Sequence, residues 1–364
     1  MKLGELLRVL EQWAPPSLQE SYDNSGLIVG DHSMEVTGAL VTLDCIESVI
    51  DEAIDRGCNL VIAHHPIVFG GIKRFNGKGY VQRTVMKAIK HDVAIYAIHT
   101  NLDSVNSGVN AYFCELLGIK DPQILSPKKD LLEKLVVFTP QSHADSVRNA
   151  LFEAGAGEIG NYDECSFNTP GQGTFRGGEG TNAFVGEQGK RHVEDEVKIE
   201  VIVEQWKMRS VLTAMVMSHP YEEVAYDRYQ LKNEHPYIGS GMIGELEAPM
   251  DIKDFFDHAK KALNISVIKH TKVLKDKVQR IALCGGSGFF LLGAAKGKQA
   301  DVYITSDIKY HQFFDAEDQL VLADIGHWES EHRTSELIQK VLKENFPTFA
   351  VHLCDINTNP VNYY

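Results

Sequence analysis

Cysteine is sparse and never clustered: Cys45, Cys58, Cys114, Cys165, Cys284 and Cys354 are scattered, with no C-x-x-C pair among them. That spacing excludes zinc-finger and thiolate-cluster chemistry and reads as reduced core thiols of a cytoplasmic protein. Long apolar runs are missing too. No stretch approaches the roughly 20 residues that cross a bilayer, so no membrane partner is expected. The opening MKLGELLRVLEQW places Leu3, Leu6, Leu7 and Leu10 on one face of an amphipathic helix and lacks the apolar core and cleavage site of a secretory signal. Positive charge is short: 36 Lys+Arg stand against 50 Asp+Glu, a formal net charge of -14. Such a surface repels phosphate backbones and argues against general nucleic-acid binding. No Ser-His-Asp order and no catalytic cysteine setting stands out.

What the chain does have is apolar content. Its 364 residues are 43% hydrophobic, enough for a sizeable core and for two or three domains. The first third alternates strand and helix: TGALVTLD, CIESVIDEAIDRG, NLVIAHH, YVQRTVMKAIKHD, VAIYAIHTNLD, GVNAYFCELLG. Short buried strands between helices predict an α/β fold with a largely parallel sheet covered on both faces, and ligands collect at strand carboxyl ends in such sheets. Near residue 126 the character changes. The order strand, helix, glycine-rich polar stretch, strand, helix, strand through residue 232 predicts a ferredoxin-like α+β unit with an extended hairpin, a disordered linker being the alternative for the glycine-rich part. EHPYIGSGMIGELEAPM reads as a turn back, after which α/β alternation resumes. The expected domains are 1-125, a first lobe; 126-240, an insertion; and 241-364, a second lobe, with three domains strung in series as the alternative unless chemistry links the two ends.

Ionisable side chains gather at predicted strand ends. LVIAHHPIVFGG ends a strand in His64 and His65; IHTNLD supplies His99 and Asp103; DIGHWESEH supplies His327 and Glu331, four residues apart and so on one side of a helix. Imidazole nitrogens with carboxylate oxygens and no thiolate suit zinc, manganese, iron, cobalt or nickel, and two carboxylates can bridge a metal pair. A lone histidine beside a strand is more often structural, and His91, His143, His192, His235, His258, His270 and His352 are read that way. Asp307 and His311, in SDIKYHQ, are either an outer partner and a proton-transfer group or a helix cap and a surface histidine. The CGGSGF loop is either a backbone-amide anion site or a tight strand-to-helix turn. His219 and Glu222, in SHPYEEVAYD, are read as a turn. Spacing alone does not bring residue 64 to residue 331.

VIAHHPIVFGG, YAIHTNLD, GSGMIGEL, IALCGGSG, VYITSDIKYHQFFDA and LADIGHWESE, with SYDNSGLIVG and the terminal DINTNP, resemble the signature segments of the NIF-three-like family, also called GTP cyclohydrolase I type 2. The resemblance covers the first and last thirds in order. It implies a two-lobed α/β body interrupted by a PII/CutA-like α+β domain, and a dinuclear divalent-metal site ligated by His64, His65, Asp103, His327 and Glu331, with Asp103 and Glu331 able to bridge. It also implies a toroidal homohexamer. The expected function is metal-dependent hydrolysis of a nucleotide ring, cyclic amide or phosphoester, with His99 or His311 shuttling protons. The alternative is a non-catalytic metal-binding or sensing protein, or a regulatory ring whose insertion binds a small molecule or nucleotide.

Overall fold

The computed structural model describes residues 1–364, which form two compact units: Met1–Pro127 with Tyr237–Tyr364, and Lys128–Pro236. In chain order the strands are β1 (Gly26–Val29), β2 (Ala39–Thr42), β3 (Leu60–Ala63), β4 (Ala94–Ala97) and β5 (Lys120–Pro127), then β6 (Leu132–Pro140), β7 (Ser166–Phe175), β8 (His192–Glu204) and β9 (Tyr226–Gln230), then β10 (Gly239–Asp251), β11 (Lys269–His270), β12 (Lys277–Leu283), β13 (Val302–Thr305), β14 (Val321–Asp324) and β15 (Val351–Leu353).

The larger unit carries two sheets. The first has the order β1-β4-β3-β2-β15, parallel except for β1. Its central strands LVIA and AIYA are buried at every position, as expected where both faces are covered. Leu40, Val61, Ala63 and Ile95 pack against Val49, Ile50 and Ala53 of helix Glu47–Asp55 and Val85 and Ala88 of helix Tyr80–Lys90. Helix Thr334–Asn345 packs on β2 and β15. The second sheet has the order β11-β14-β13-β12-β10-β5. Helices Val109–Leu117 and Ile252–Leu263 cover one face, through Phe113, Leu117, Phe255 and Leu263. Leu291, Leu292, Ala295 and Ala316 cover the other.

The two sheets exchange strands: β5 precedes the insertion yet lies in the second sheet, and β15, near the C-terminus, closes the edge of the first. The two ends of the chain are thereby woven into one body.

Two readings of local structure need correction. The segment taken as a turn back is β10, thirteen residues long and paired with both β5 and β12. Its glycines mark close approach rather than turning: a Cβ at Gly239 would fall 2.3 Å from the Ser126 carbonyl oxygen, and one at Gly244 would fall 2.6 Å from Ile119 and Lys120. Asp103 does not end a strand. β4 stops at Ala97, and Asp103 sits on the one-turn helix Thr100–Ser104.

The smaller unit has β-α-β-β-α-β succession, with helices Ala144–Glu153 and Met208–Ser218 and the antiparallel order β7-β8-β6-β9. This is the ferredoxin-like plan. The glycine-rich stretch contains the β7–β8 hairpin, registered from Ser166–Val201 to Phe175–His192, with residues 176–191 as the irregular loop joining the two strands.

Candidate metal centre

β3 is the middle strand of a parallel sheet, and its chain continues past Ala63 under the control of β2: the His64 amide donates to the Thr42 carbonyl at 3.1 Å and the His65 amide to the Leu43 carbonyl at 2.9 Å. Both imidazoles therefore start from a fixed backbone at a strand carboxyl end. His64 Nδ1 donates to the Ile98 carbonyl at 2.8 Å. That bond sets the tautomer and turns an unprotonated Nε2 inward. The other rings repeat the device. His65 Nδ1 is held by Asp44 at 2.8 Å, His99 Nδ1 by Asp23 at 2.8 Å and His327 Nδ1 by Asp307 at 2.6 Å.

Glu331 lies where the rings converge. Helix His327–Glu331 begins after Gly326, whose φ of 93° suits glycine, and a single turn brings His327 Nε2 within 3.1 Å of Glu331 Oε2. The same oxygen is 3.0 Å from His65 Nε2. Glu331 Oε1 is 3.9 Å from His64 Nε2, and Asp103 Oδ1 is 3.6 Å from that nitrogen. The donor atoms form three groups, each within 4.8 Å: His64, Asp103 and Glu331; His65, His327 and Glu331; and His64, His65 and His99. Glu331 is common to the first two. Thus all five expected metal ligands meet, and His99 joins them.

The chemistry of this set fits a divalent cation. His64 Nε2 and Asp103 Oδ1 are both buried with no hydrogen-bond partner, an arrangement that costs free energy unless something positive sits between them. Burial opposes charge on His65, but hydrogen bonds to Asp44 and Glu331 raise it to about 9; on His327, burial is likewise outweighed by Asp307 and Glu331, raising it to about 11. Burial lowers His64 to about 3 against the pull of Glu331. Burial and the charge of Glu331 push Asp103 well above the usual carboxylate range, while Glu331, despite its own burial, is held well below it by His327 and His65. Glu331 is therefore the more acidic of the two carboxylates, and a cation bound there would displace protons from His65 and His327.

Two features escaped the sequence reading: the aspartates that orient His65 and His99, and the support given by the C-terminal tail. Asp44 and Asp23, which orient His65 and His99, were not singled out; each precedes its histidine by many residues and meets it only in space. Thr358, in the terminal DINTNP, donates to Asp44 Oδ2 at 2.7 Å, and Asn359 donates to Glu329 Oε1 at 3.1 Å. The C-terminal tail thus supports the carboxylate that supports His65. The CGGSG loop serves packing. Its amides at Gly285, Gly286 and Gly288 donate to Asn110, Ser330 and Thr305 at 2.9 Å each, so these three are committed to packing. Gly286, at φ 62°, lies so close to Glu331 that a Cβ would fall 2.3 Å from Oε1.

Asp307 is an outer partner through His327 and adopts φ 58° to reach it. His311 is not brought to the cluster; it is exposed beside Tyr310 and Phe314, at ring-centroid distances of 5.1 and 6.4 Å. His219 makes the expected turn, accepting from the Tyr221 amide at 3.1 Å. A cavity of about 610 Å³ opens beside the cluster, with Tyr22, Phe69 and Phe290 among its walls and no lysine or arginine.

An α/β body with a histidine–carboxylate centre able to hold a metal ion is the class this geometry defines. The family model of Duf34/NIF3 (NGG1p interacting factor 3) matches residues 1–360, and the chain belongs to that family. It is 40% identical over 363 residues to a protein of Halalkalibacterium halodurans named "GTP cyclohydrolase 1 type 2 homolog", covering 98% of each chain. A Bacillus subtilis protein of the same name is 35% identical over 362 residues, covering 99% of this chain and 95% of the other. The crystal structure of a Bacillus cereus protein related to NIF3 superposes with a TM-score of 0.87 at 37% identity, covering 100% of this chain and 99% of that one. No helix is long and apolar enough to cross a membrane.

Proposed function

We propose that the centre holds two divalent cations, one in the triad His64–Asp103–Glu331 and one in the triad His65–His327–Glu331, and that the chain is a metal-dependent hydrolase acting on a nucleotide ring, cyclic amide or phosphoester. The observation that carries this reading is the pair of buried, unpartnered atoms, His64 Nε2 and Asp103 Oδ1, facing each other across 3.6 Å beside a carboxylate common to two donor triads. The nitrogen and oxygen donors suit zinc, iron, manganese, cobalt or nickel. Such cations, when bound, lower the pKa of water and polarise an electrophile. The chain's own part is orientation and proton handling. Asp44, Asp307 and the Ile98 carbonyl fix the three metal-facing rings. His99, held by Asp23 and lining the cavity, stands where it can take up or return a proton to a bound substrate. Tyr22, Phe69 and Phe290 give the cavity an apolar rim.

The experiment is turnover by metal-loaded protein across nucleotides, phosphoesters and cyclic amides. Hydrolysis that needs metal and disappears in Asp103→Ala is expected. Full metal occupancy with no turnover across the panel would favour the non-catalytic metal-binding alternative. The same reading assigns the smaller unit to the PII/CutA-like modules, supported by its strand order, and places the protein in the cytoplasm, supported by six free thiols. It also includes the homohexameric ring, which light scattering of the purified chain tests; a monomer at micromolar concentration would contradict it.

A further inference from the structure

The smaller unit contains a cavity of about 810 Å³ that the metal chemistry does not use. Missing side chains open it. In β7, SFNTPGQGTF, a Cβ at Gly171 would meet nothing within 4 Å, whereas one at Gly173 would fall 2.0 Å from Glu196 Oε2. Glu196 therefore lies directly over bare backbone. The Tyr221 hydroxyl donates to its Oε1 at 2.9 Å. Tyr221 is fixed in turn, since its amide donates to His219 Nδ1 and His219 Nε2 donates to the Phe138 carbonyl at 3.0 Å. Phe175 and Phe184 stand 5.9 and 6.3 Å from the Tyr221 ring. The walls carry Glu196, Glu222 and Glu223 against Arg176 and Lys198, and Lys198 is drawn 3.5 Å from Glu200.

We propose that this cavity is a second ligand site, for a planar aromatic ring bearing a protonated or amino-substituted nitrogen. Rings supply stacking surface, and their negative faces favour a cationic ring. Glu196, already oriented by Tyr221, supplies the acceptor. An anionic ligand would meet an excess of carboxylates. An aliphatic one would leave the aromatic faces unmatched.

The test is titration of the full-length protein with 9-aminoacridine, a planar fluorescent ring cation, beside anthracene-9-carboxylate, the same ring skeleton with opposite charge. Saturable binding of the cation, about tenfold or more tighter than the anion, is expected. Gly171→Leu, which fills open space from a backbone position without positive φ, should weaken it at least about tenfold with the melting temperature unchanged. Phe184→Ser, at a half-exposed ring, is the second variant and should weaken binding in the same direction. Glu196→Gln should remove most of the charge preference while ring binding persists. Equal affinity for the two dyes, or undiminished cation binding in both Gly171→Leu and Phe184→Ser, would overturn the proposal.

Discussion

Two histidine–acid clusters in this chain can be set side by side. In the smaller unit, His235 Nε2 meets Glu204 Oε1 at 2.9 Å and Lys207 Nζ meets both Glu204 and Glu158 at 2.9 Å. The carboxylates are neutralised by a side chain that the fold supplies. In the larger unit, four imidazoles surround Glu331 and Asp103, no lysine or arginine lines the cavity, and two buried atoms have no partner. The first cluster is closed and the second is not. Composition does not separate a structural ion pair from a metal centre; a fold that withholds its own cation does.

Breaking that contrast at its centre gives the largest effect. Glu331→Gln removes the oxygen charge common to both triads and should lower metal affinity at least about 100-fold, read as metal per chain by elemental analysis. Glu204→Gln, the matching change in the closed cluster, should leave metal content unchanged. One step outward, Asp44→Ala should cost about 10- to 100-fold in affinity by freeing the His65 ring. Thr358→Val should move it in the same direction by less, with Thr358→Ser restoring it in chelator competition. Gly286→Ala forces φ 62° on an L-residue and presses on Glu331. It should destabilise the fold by about 1–2 kcal/mol, seen as a lower denaturant midpoint.

The smallest effect belongs to the closed cluster. Burial opposes it, but His235 and Lys207 hold the Glu204 carboxyl below its ordinary value. A depressed carboxyl stabilises above its unfolded pKa and loses that stabilisation as pH falls through the lower folded one. Lys207→Met should therefore lower the melting temperature near neutrality, by about 3 °C for a partly exposed pair. The difference from wild type should shrink below about pH 4.

Much of the open cluster was legible because parallel strands end in it. His64 and His65 follow a wholly apolar run, and His327 and Glu331 have one-turn spacing. Asp103 was identified as a ligand by family resemblance but was misplaced onto a strand, since nothing in IHTNLD marks where β4 stops and a helix starts. Apart from Asp307, the outer partners were hidden because Asp44, His65, Glu331 and Thr358 are joined through space across the whole chain. β5 was missed, as KDPQILSP carries two prolines, Pro122 and Pro127, tolerated because the strand is a sheet edge. β10 was misread because glycine signals turning and close packing alike.

The central claim is that Glu331 joins two donor triads around two cations. An anomalous-difference map from crystals of the full chain grown with manganese or zinc tests it most directly. Two peaks flanking the Glu331 carboxylate, one against His64 and Asp103 and the other against His65 and His327, are predicted. A map with no peak there, or with a single peak held by His99 in place of Glu331, would contradict the account.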